Sequence, residues 1–280
     1  MNYQQPLTQE QRKKYQKASL KQKLQHAQAI ICQAFDQHPP SQTAVAWTGG
    51  KDSTLLLWLI KTVTQQQQLP LPRIMLIDEG DMFAEIQEFA NSLAKKWRFQ
   101  FSIARNHDVL QQVQQLNDQV EVAKLNQTNQ QALQELGFNQ PCFKFQPESL
   151  VGNHLMKTVA ANLWLTANQV QALFTGIRWD EQPARAEDNF FRIIAQPAHT
   201  RVQPLLFFNE AEVWQITHQQ QIPYVSLYEQ GYRSLGAQST TKKTSDQPAW
   251  EQDLKQTTER AGRQQDKEKI MARLRDLGYM

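Results

Sequence analysis

The chain has 280 residues, 40% of them hydrophobic and 20% charged, with 30 Lys and Arg against 27 Asp and Glu for a formal charge of +3. That length supports one large α/β domain or a domain with an appendage, and 13 Phe, 7 Trp and 6 Tyr exclude a globally disordered chain. The charge is too mild to call for a polyanion, so nucleic acid is unsupported as a partner. No apolar run approaches the roughly 20 residues of a membrane span, and the polar stretch from Met1 to Lys23 lacks the apolar core of a secretory signal, so no membrane partner and a cytoplasmic location are expected.

Leu20, Leu24, Ala27, Ile31 and Phe35 fall at helical spacing and predict an amphipathic helix, stopped by His38-Pro39-Pro40. Residues 43–47 read as a short apolar strand, Gly49 and Gly50 break it, and 53–64 read as a Leu-rich buried helix. The Gln run at 65–68 reads as a solvated loop. The alternation continues with a strand at 73–77, a helix at 83–96, a strand at 99–104 and a helix at 108–117. Residues 118–147 show no clear period. A helix at 149–166 and a strand at 170–175 follow, then a loop at 187–200, a strand at 202–206, a helix at 210–220, and a polar end with a charged helix over 259–277. Strands alternating with helices predict an α/β fold with a doubly wound, mostly parallel sheet, an N-terminal helix and a polar, partly helical C-terminal tail. The expected divisions are 1–40, helical; 41–236, the α/β domain; and 237–280, the tail.

The chemistry concentrates at Thr48-Gly49-Gly50-Lys51-Asp52-Ser53, between the first strand and its helix. Ligands of open parallel sheets sit at the carboxyl ends of strands, where a helix N-terminus faces an anion. The two glycines let backbone approach a phosphate, Lys51 neutralises charge, and the Thr48 and Ser53 hydroxyls can donate hydrogen bonds. Asp52 can act through a metal or by fixing the loop. The Walker pattern is absent. This turn is expected to hold ATP and to direct chemistry to its α-phosphate.

The same six residues resemble the Ser-Gly-Gly-x-Asp-Ser signature of the PP-loop ATP pyrophosphatase superfamily, with Thr for the first Ser. Ile77-Asp78-Glu79-Gly80 resembles that family's Val-Asp-Thr-Gly strand end, with Glu79 in place of Thr. Thr175-Gly176-Ile177-Arg178 through Glu181 to Arg185 resembles the Gly-x-Arg-x-x-Glu-x-x-x-Arg element of the branch that holds phosphoadenosine phosphosulfate (PAPS) reductases and sulfate adenylyltransferase small subunits. Val202-Gln203-Pro204-Leu205-Leu206, Ile222-Pro223-Tyr224, Leu227-Tyr228 and Gly231-Tyr232-Arg233 extend the likeness over most of 41–236. It implies ATP and Mg²⁺ as cofactors, Thr48 to Ser53, Asp78 and Gly176 as the ATP-binding set, and Lys51, Asp52, Arg178 and Arg185 as the catalytic set. Asp78 or Asp52 is the candidate Mg²⁺ ligand, and Arg201 and Arg233 are candidates for contact with a substrate anion. Glu181 is expected to orient Arg178 or Arg185, Trp47 and Trp179 are candidates to stack adenine, and His107, His154 and His199 read as structural or surface residues.

Sulfur chemistry separates the members of this branch. A reductase needs a nucleophilic cysteine, yet Cys32 and Cys142 are the only cysteines, and Ala237-Gln238-Ser239-Thr240-Thr241 stands where the iron–sulfur reductases carry a Cys pair. Cys142, between Pro141 and Phe143, reads as a buried structural thiol. No iron–sulfur cluster is expected. Thr258-Glu259-Arg260-Ala261-Gly262-Arg263 and the terminal Gly278-Tyr279-Met280 resemble the end of the sulfate adenylyltransferase small subunit. The resemblance therefore implies adenylyl transfer to an oxyanion such as sulfate and a GTPase large subunit as partner; adenylation of another acceptor, a tRNA base or a flavin mononucleotide, and a PAPS reductase-family protein without cysteine-based reductase activity stay open beside it.

Overall fold

The structure is a computed structural model that describes residue 3 and residues 5–262. Two helices come first, α1 (Gln9–Lys17) and α2 (Leu20–Gln37), each opened by a capping box from Thr8 with Gln11 and from Ser19 with Gln22. None of α1's residues is fully buried, so it shows no apolar period to read. α2 buries Ala27, Ile30, Ile31, Ala34 and Phe35 on the expected face.

Next come β1 (Thr43–Trp47), α3 (Lys51–Gln66), β2 (Arg73–Ile77), α4 (Ala84–Trp97) and β3 (Phe101–Ala104), with β1 parallel to β2 and β2 parallel to β3. Every residue of β1 is buried, as a central parallel strand requires. Its residues alternate between faces. Val45 packs among Ile31 of α2 and Leu55, Leu56, Leu59 and Ile60 of α3, while Ala44 and Ala46 pack on the other side. Each of those α3 side chains contributes roughly 1.5–3 kcal/mol by leaving water.

The expected helix at 108–117 is corrected to a single turn, α5 (His107–Leu110). The Asp118 carboxylate accepts the backbone N–H groups of Gln114 (2.9 Å) and Gln115 (3.1 Å), and Asn117 takes a φ of 70°, so the chain turns instead of winding on. The stretch without a period then resolves into β4 (Gln119–Glu121), α6 (Gln127–Glu135) and β5 (Cys142–Lys144), the strands pairing antiparallel around a small core of Val109, Val120, Leu125, Leu133, Phe145 and Met156.

The helix expected at 149–166 forms as α7 (Leu150–Asn153), a π-helical stretch at His154–Val159, and α8 (Ala160–Ala167), whose Trp164 and Leu165 cover Ala44 and Ala46 of β1. After β6 (Ala172–Phe174), the expected loop at 187–200 contains β7 (Phe191–Ile194), which pairs antiparallel with β8 (His199–Val202). The strand expected at 202–206 is thereby moved back: Val202 is its last residue, Pro204 offers no N–H to a ladder, and Leu205, Leu206, Phe207 and Phe208 turn into the core. α9 (Glu210–Gln219) closes the series with a capping box from Asn209 and Glu212. Most of the charged helix expected at 259–277 lies outside the described residues, and 259–262 form a turn.

The main sheet runs β3-β2-β1-β6-β8-β7, parallel except for β7, with helices on both faces; it is a doubly wound α/β fold. Strand order reverses between β1 and β6, which opens a crevice at their carboxyl ends. Among the described residues no helix is long and apolar enough to cross a membrane.

Candidate nucleotide site

The turn after β1 is shaped by its own hydroxyls. Ser53 Oγ accepts the Thr48 backbone N–H at 3.2 Å, lies 3.1 Å from Thr48 Oγ1 and donates to the Gly50 carbonyl at 3.1 Å. Gly49 has a φ of 75°, and a Cβ there would come within 2.8 Å of Ile86 Cγ2 on α4, so this position is closed to larger residues on two counts. Gly50 is the N-cap of α3, and the positive end of that helix faces the crevice. From the other side of the strand reversal, Gly176 follows β6; a Cβ on it would sit 3.1 Å from the Asp52 carbonyl, so its missing side chain lets the two loops meet.

Between them lies a cavity of about 230 Å³. Thr48, Gly50, Lys51, Asp52 and Ser53 from the β1 turn, Gly176 and Arg185 from beyond β6, and Ala46, Ile77, Met82, Thr158 and Thr175 line it. Arg178 is fully buried behind this surface, where its guanidinium binds Asp52, Glu259 and, through Nε at 2.8 Å, Asp180. Asp180 also accepts the backbone N–H of Glu210 at 3.0 Å and so ties the Arg178 loop to the start of α9. Arg185 is held by Glu181, as expected, and Arg260 reaches the same carboxylate at 3.2 Å.

The charges are strongly coupled. Burial alone would lower the Lys51 pKa, but Glu259, Tyr228 and Glu210 outweigh it and hold the ammonium above its ordinary value. Burial opposes the Glu259 carboxylate as well, yet Arg178 and Lys51 bring it well below the usual carboxylate range. Glu210 goes the other way: burial raises it, and Lys51 and Arg233 only partly offset that. At neutral pH the site holds a fixed ammonium and a fixed guanidinium side by side.

Several expected residues stand elsewhere. Asp78 does not line the cavity; its carboxylate accepts the Gly80 N–H at 2.8 Å and pairs with Arg105, so it holds the turn after β2. Arg201 lies inside β8, and Arg233 is locked to Glu210 (2.7 Å) and to backbone carbonyls of residues 253 and 254 behind the cavity. Trp47 is core, packed on Phe89, Phe99 and Phe101 with its Nε1 donating to Thr54, and Trp179 packs on Phe190; neither lines the cavity. Cys142 is half-buried on β5, not buried, and lies outside the cavity, as does Cys32. His154 and His199 are buried. Neither carboxylate proposed for Mg²⁺ fits the ion as placed: both Asp78 oxygens are engaged away from the cavity, and Asp52, which lines it, has one oxygen on Arg178 and the other on Lys51 at 3.2 Å.

Glu259, Tyr228, Asp180 and Lys157 are site residues that sequence reasoning did not single out. Lys157 comes from the π-helical stretch and pairs with Glu79 (2.6 Å) and Glu148 (2.8 Å), which accounts for the Glu that replaces the family's Thr after Asp78. The only sequence signal for Glu259 and Tyr228 was their place in short stretches with family likeness.

A mostly parallel α/β sheet with a glycine-rich turn at its strand reversal is the architecture of PP-loop folds. The chain belongs to the phosphoadenosine phosphosulfate reductase domain family, whose profile matches residues 42–243. It is 24% identical to a phosphoadenosine 5'-phosphosulfate reductase of Xanthomonas euvesicatoria over 222 residues, 78% of either chain. It is also 24% identical to a sulfate adenylyltransferase subunit 2 of Brucella anthropi over 246 residues, covering 78% of this chain and 71% of that one. The fold matches Candida glabrata FMN adenylyltransferase with a TM-score of 0.61 at 17% identity, over 91% of this chain and 94% of the other.

Proposed function

We propose that the protein is an ATP-dependent adenylyltransferase that joins an oxyanion, with sulfate the leading acceptor, to the α-phosphate of ATP. An acceptor oxygen attacks the α-phosphorus, the bond to the bridging oxygen of pyrophosphate breaks, and adenylyl sulfate and pyrophosphate leave with no change of oxidation state. The observation that carries this reading is the Lys51 ammonium at the N-terminus of α3, tied through Asp52 to Arg178 just behind the lining, in a cavity that neither cysteine lines. Displacement at phosphorus is governed by positioning and charge neutralisation, which is what these groups supply. Arg185, in the cavity wall, is placed to meet the acceptor or the leaving group. The Thr158 and Thr175 hydroxyls, buried in the same lining without a hydrogen-bond partner, would serve the nucleoside. The relative named sulfate adenylyltransferase subunit 2 supports the choice of acceptor, and a GTPase subunit is the proposed partner.

The test is exchange of labelled pyrophosphate into ATP with Mg²⁺, with sulfate or flavin mononucleotide as acceptor, with and without a GTPase partner, and repeated on Lys51→Ala. Sulfate-dependent exchange that disappears in the variant is the expected result. Exchange that follows the flavin instead reassigns the acceptor, and ATP binding without exchange under any condition removes adenylyl transfer.

A further inference from the structure

Lys51, in the cavity wall, and Arg178, buried behind it, already share an anion, and it comes from the far end of the described chain. Glu259 presents one carboxylate oxygen to Lys51 Nζ and the other to Arg178 Nη2. It is buried, it lines the cavity, and its neighbour Arg260 lines it too while binding Glu181 at 3.2 Å. The segment that carries them is fastened at its two ends. Thr257 is held by the Asp253 carbonyl and by Arg233, and the Gly262 carbonyl accepts the Lys242 N–H at 2.8 Å. We propose that residues 257–262 form a strap whose Glu259 carboxylate occupies the place of a nucleotide phosphate, so that binding of the polyphosphate and release of the strap are one exchange of anions.

The surroundings permit that exchange. When Glu259 leaves, Lys51 keeps Asp52 at 3.2 Å and Glu210 at 3.9 Å, and Arg178 keeps Asp52 and Asp180, so neither cation is stranded. Replacing one carboxylate by a polyphosphate of higher charge on the same two donors strengthens charge-assisted hydrogen bonds in a water-poor site. The closed position is also narrowly specified, because a Cβ on Gly262 would meet the Lys242 carbonyl at 2.3 Å and Thr244 Cγ2 at 3.0 Å. The strap acts as an internal competitor, and the apparent affinity for nucleotide is reduced by the fraction of molecules that are open.

This inference rests on the ATP reading of the cavity, and its test measures binding, not turnover. ATP affinity is determined by calorimetry on the full chain and on Glu259→Gln and Gly262→Ala, the second of which disturbs the closed strap without touching an ion pair. Both variants are expected to bind ATP at least about tenfold more tightly. In the native protein, ATP and inorganic tripolyphosphate should each speed tryptic cleavage after Arg260, read by mass spectrometry, whereas adenosine should not.

Equal or weaker ATP binding in both variants, or protection of Arg260 by ATP, overturns the strap while loss of binding in Lys51→Ala keeps the phosphate reading intact. No ATP binding to any form overturns both. Tighter binding in the variants without pyrophosphate exchange leaves the strap standing and removes only adenylyl transfer.

Discussion

The Tyr228 hydroxyl accepts the backbone N–H of Lys51 at 2.9 Å, and its ring lies 5.9 Å below the Lys51 ammonium. Lys51 opens α3, so its N–H is one of the donors that a helix cannot satisfy from within, and a residue remote in sequence supplies the acceptor. Tyr228→Phe keeps the ring and removes the acceptor. The expected loss is about 1 kcal/mol, a fall of roughly 2–4 °C in a thermal melt.

Arg178 is fully buried and pairs with three carboxylates, of which Glu259 is buried, Asp52 half-buried and Asp180 exposed. Arg178→Met should lower stability in urea by about 3–5 kcal/mol, chiefly because the buried Glu259 then loses its guanidinium partner. Arg178→Lys should recover only part of this, since one ammonium cannot face three carboxylates as a planar guanidinium does.

The Thr158 and Thr175 hydroxyls are buried in the cavity lining without a hydrogen-bond partner. Replacing either by Val removes a buried hydroxyl that contributes nothing in the free protein, so stability should hold or rise by up to about 1 kcal/mol. Nucleotide binding should weaken several-fold in the same variants. Calorimetry together with a melt separates the two effects, and a variant that loses stability instead would show that the hydroxyl is structural.

Burial holds the His154 pKa below its ordinary value, with the Glu135 carboxylate opposing only in part. The unfolded chain therefore takes up a proton at this residue before the folded one does. Its contribution to stability is complete above the unfolded pKa and is lost as pH falls through the folded value. Melting temperatures measured from pH 7.5 down to pH 5 should decline, and His154→Gln should decline less steeply over that range.

Much of the fold was legible because long elements carry long periods. β1 and β2 appear where short, largely apolar runs stand, and α2 and α9 where helical spacing extends over several turns. What escaped was short or set by distant partners. Three-residue strands such as β4 and β5 give no period, and β7 is a strand because β8 lies beside it, a neighbour that local sequence does not announce. The site divides in the same way. Gly49, Gly50 and Lys51 speak for themselves because one turn holds them, whereas Glu259 and Asp180 acquire their roles only when the fold brings them to Arg178. Asp78 shows the converse, a family-like position whose carboxylate is used locally by Gly80 and Arg105.

The reversal of strand order between β1 and β6 has a bearing on how the molecule comes apart. Within the sheet, β1 through β3 lie on one side of that seam and β6, β8 and β7 on the other, joined by one run of β1–β6 pairing, while α3 and α9 pack across it. A ligand seated across the seam grips the β1 loop and the β6 loop together. Saturating it should therefore raise the melting point, by about 2.7 kcal/mol of added stability at a ligand concentration a hundred times Kd. It should also sharpen the transition, because the two halves of the sheet would then have to unfold in a single cooperative event.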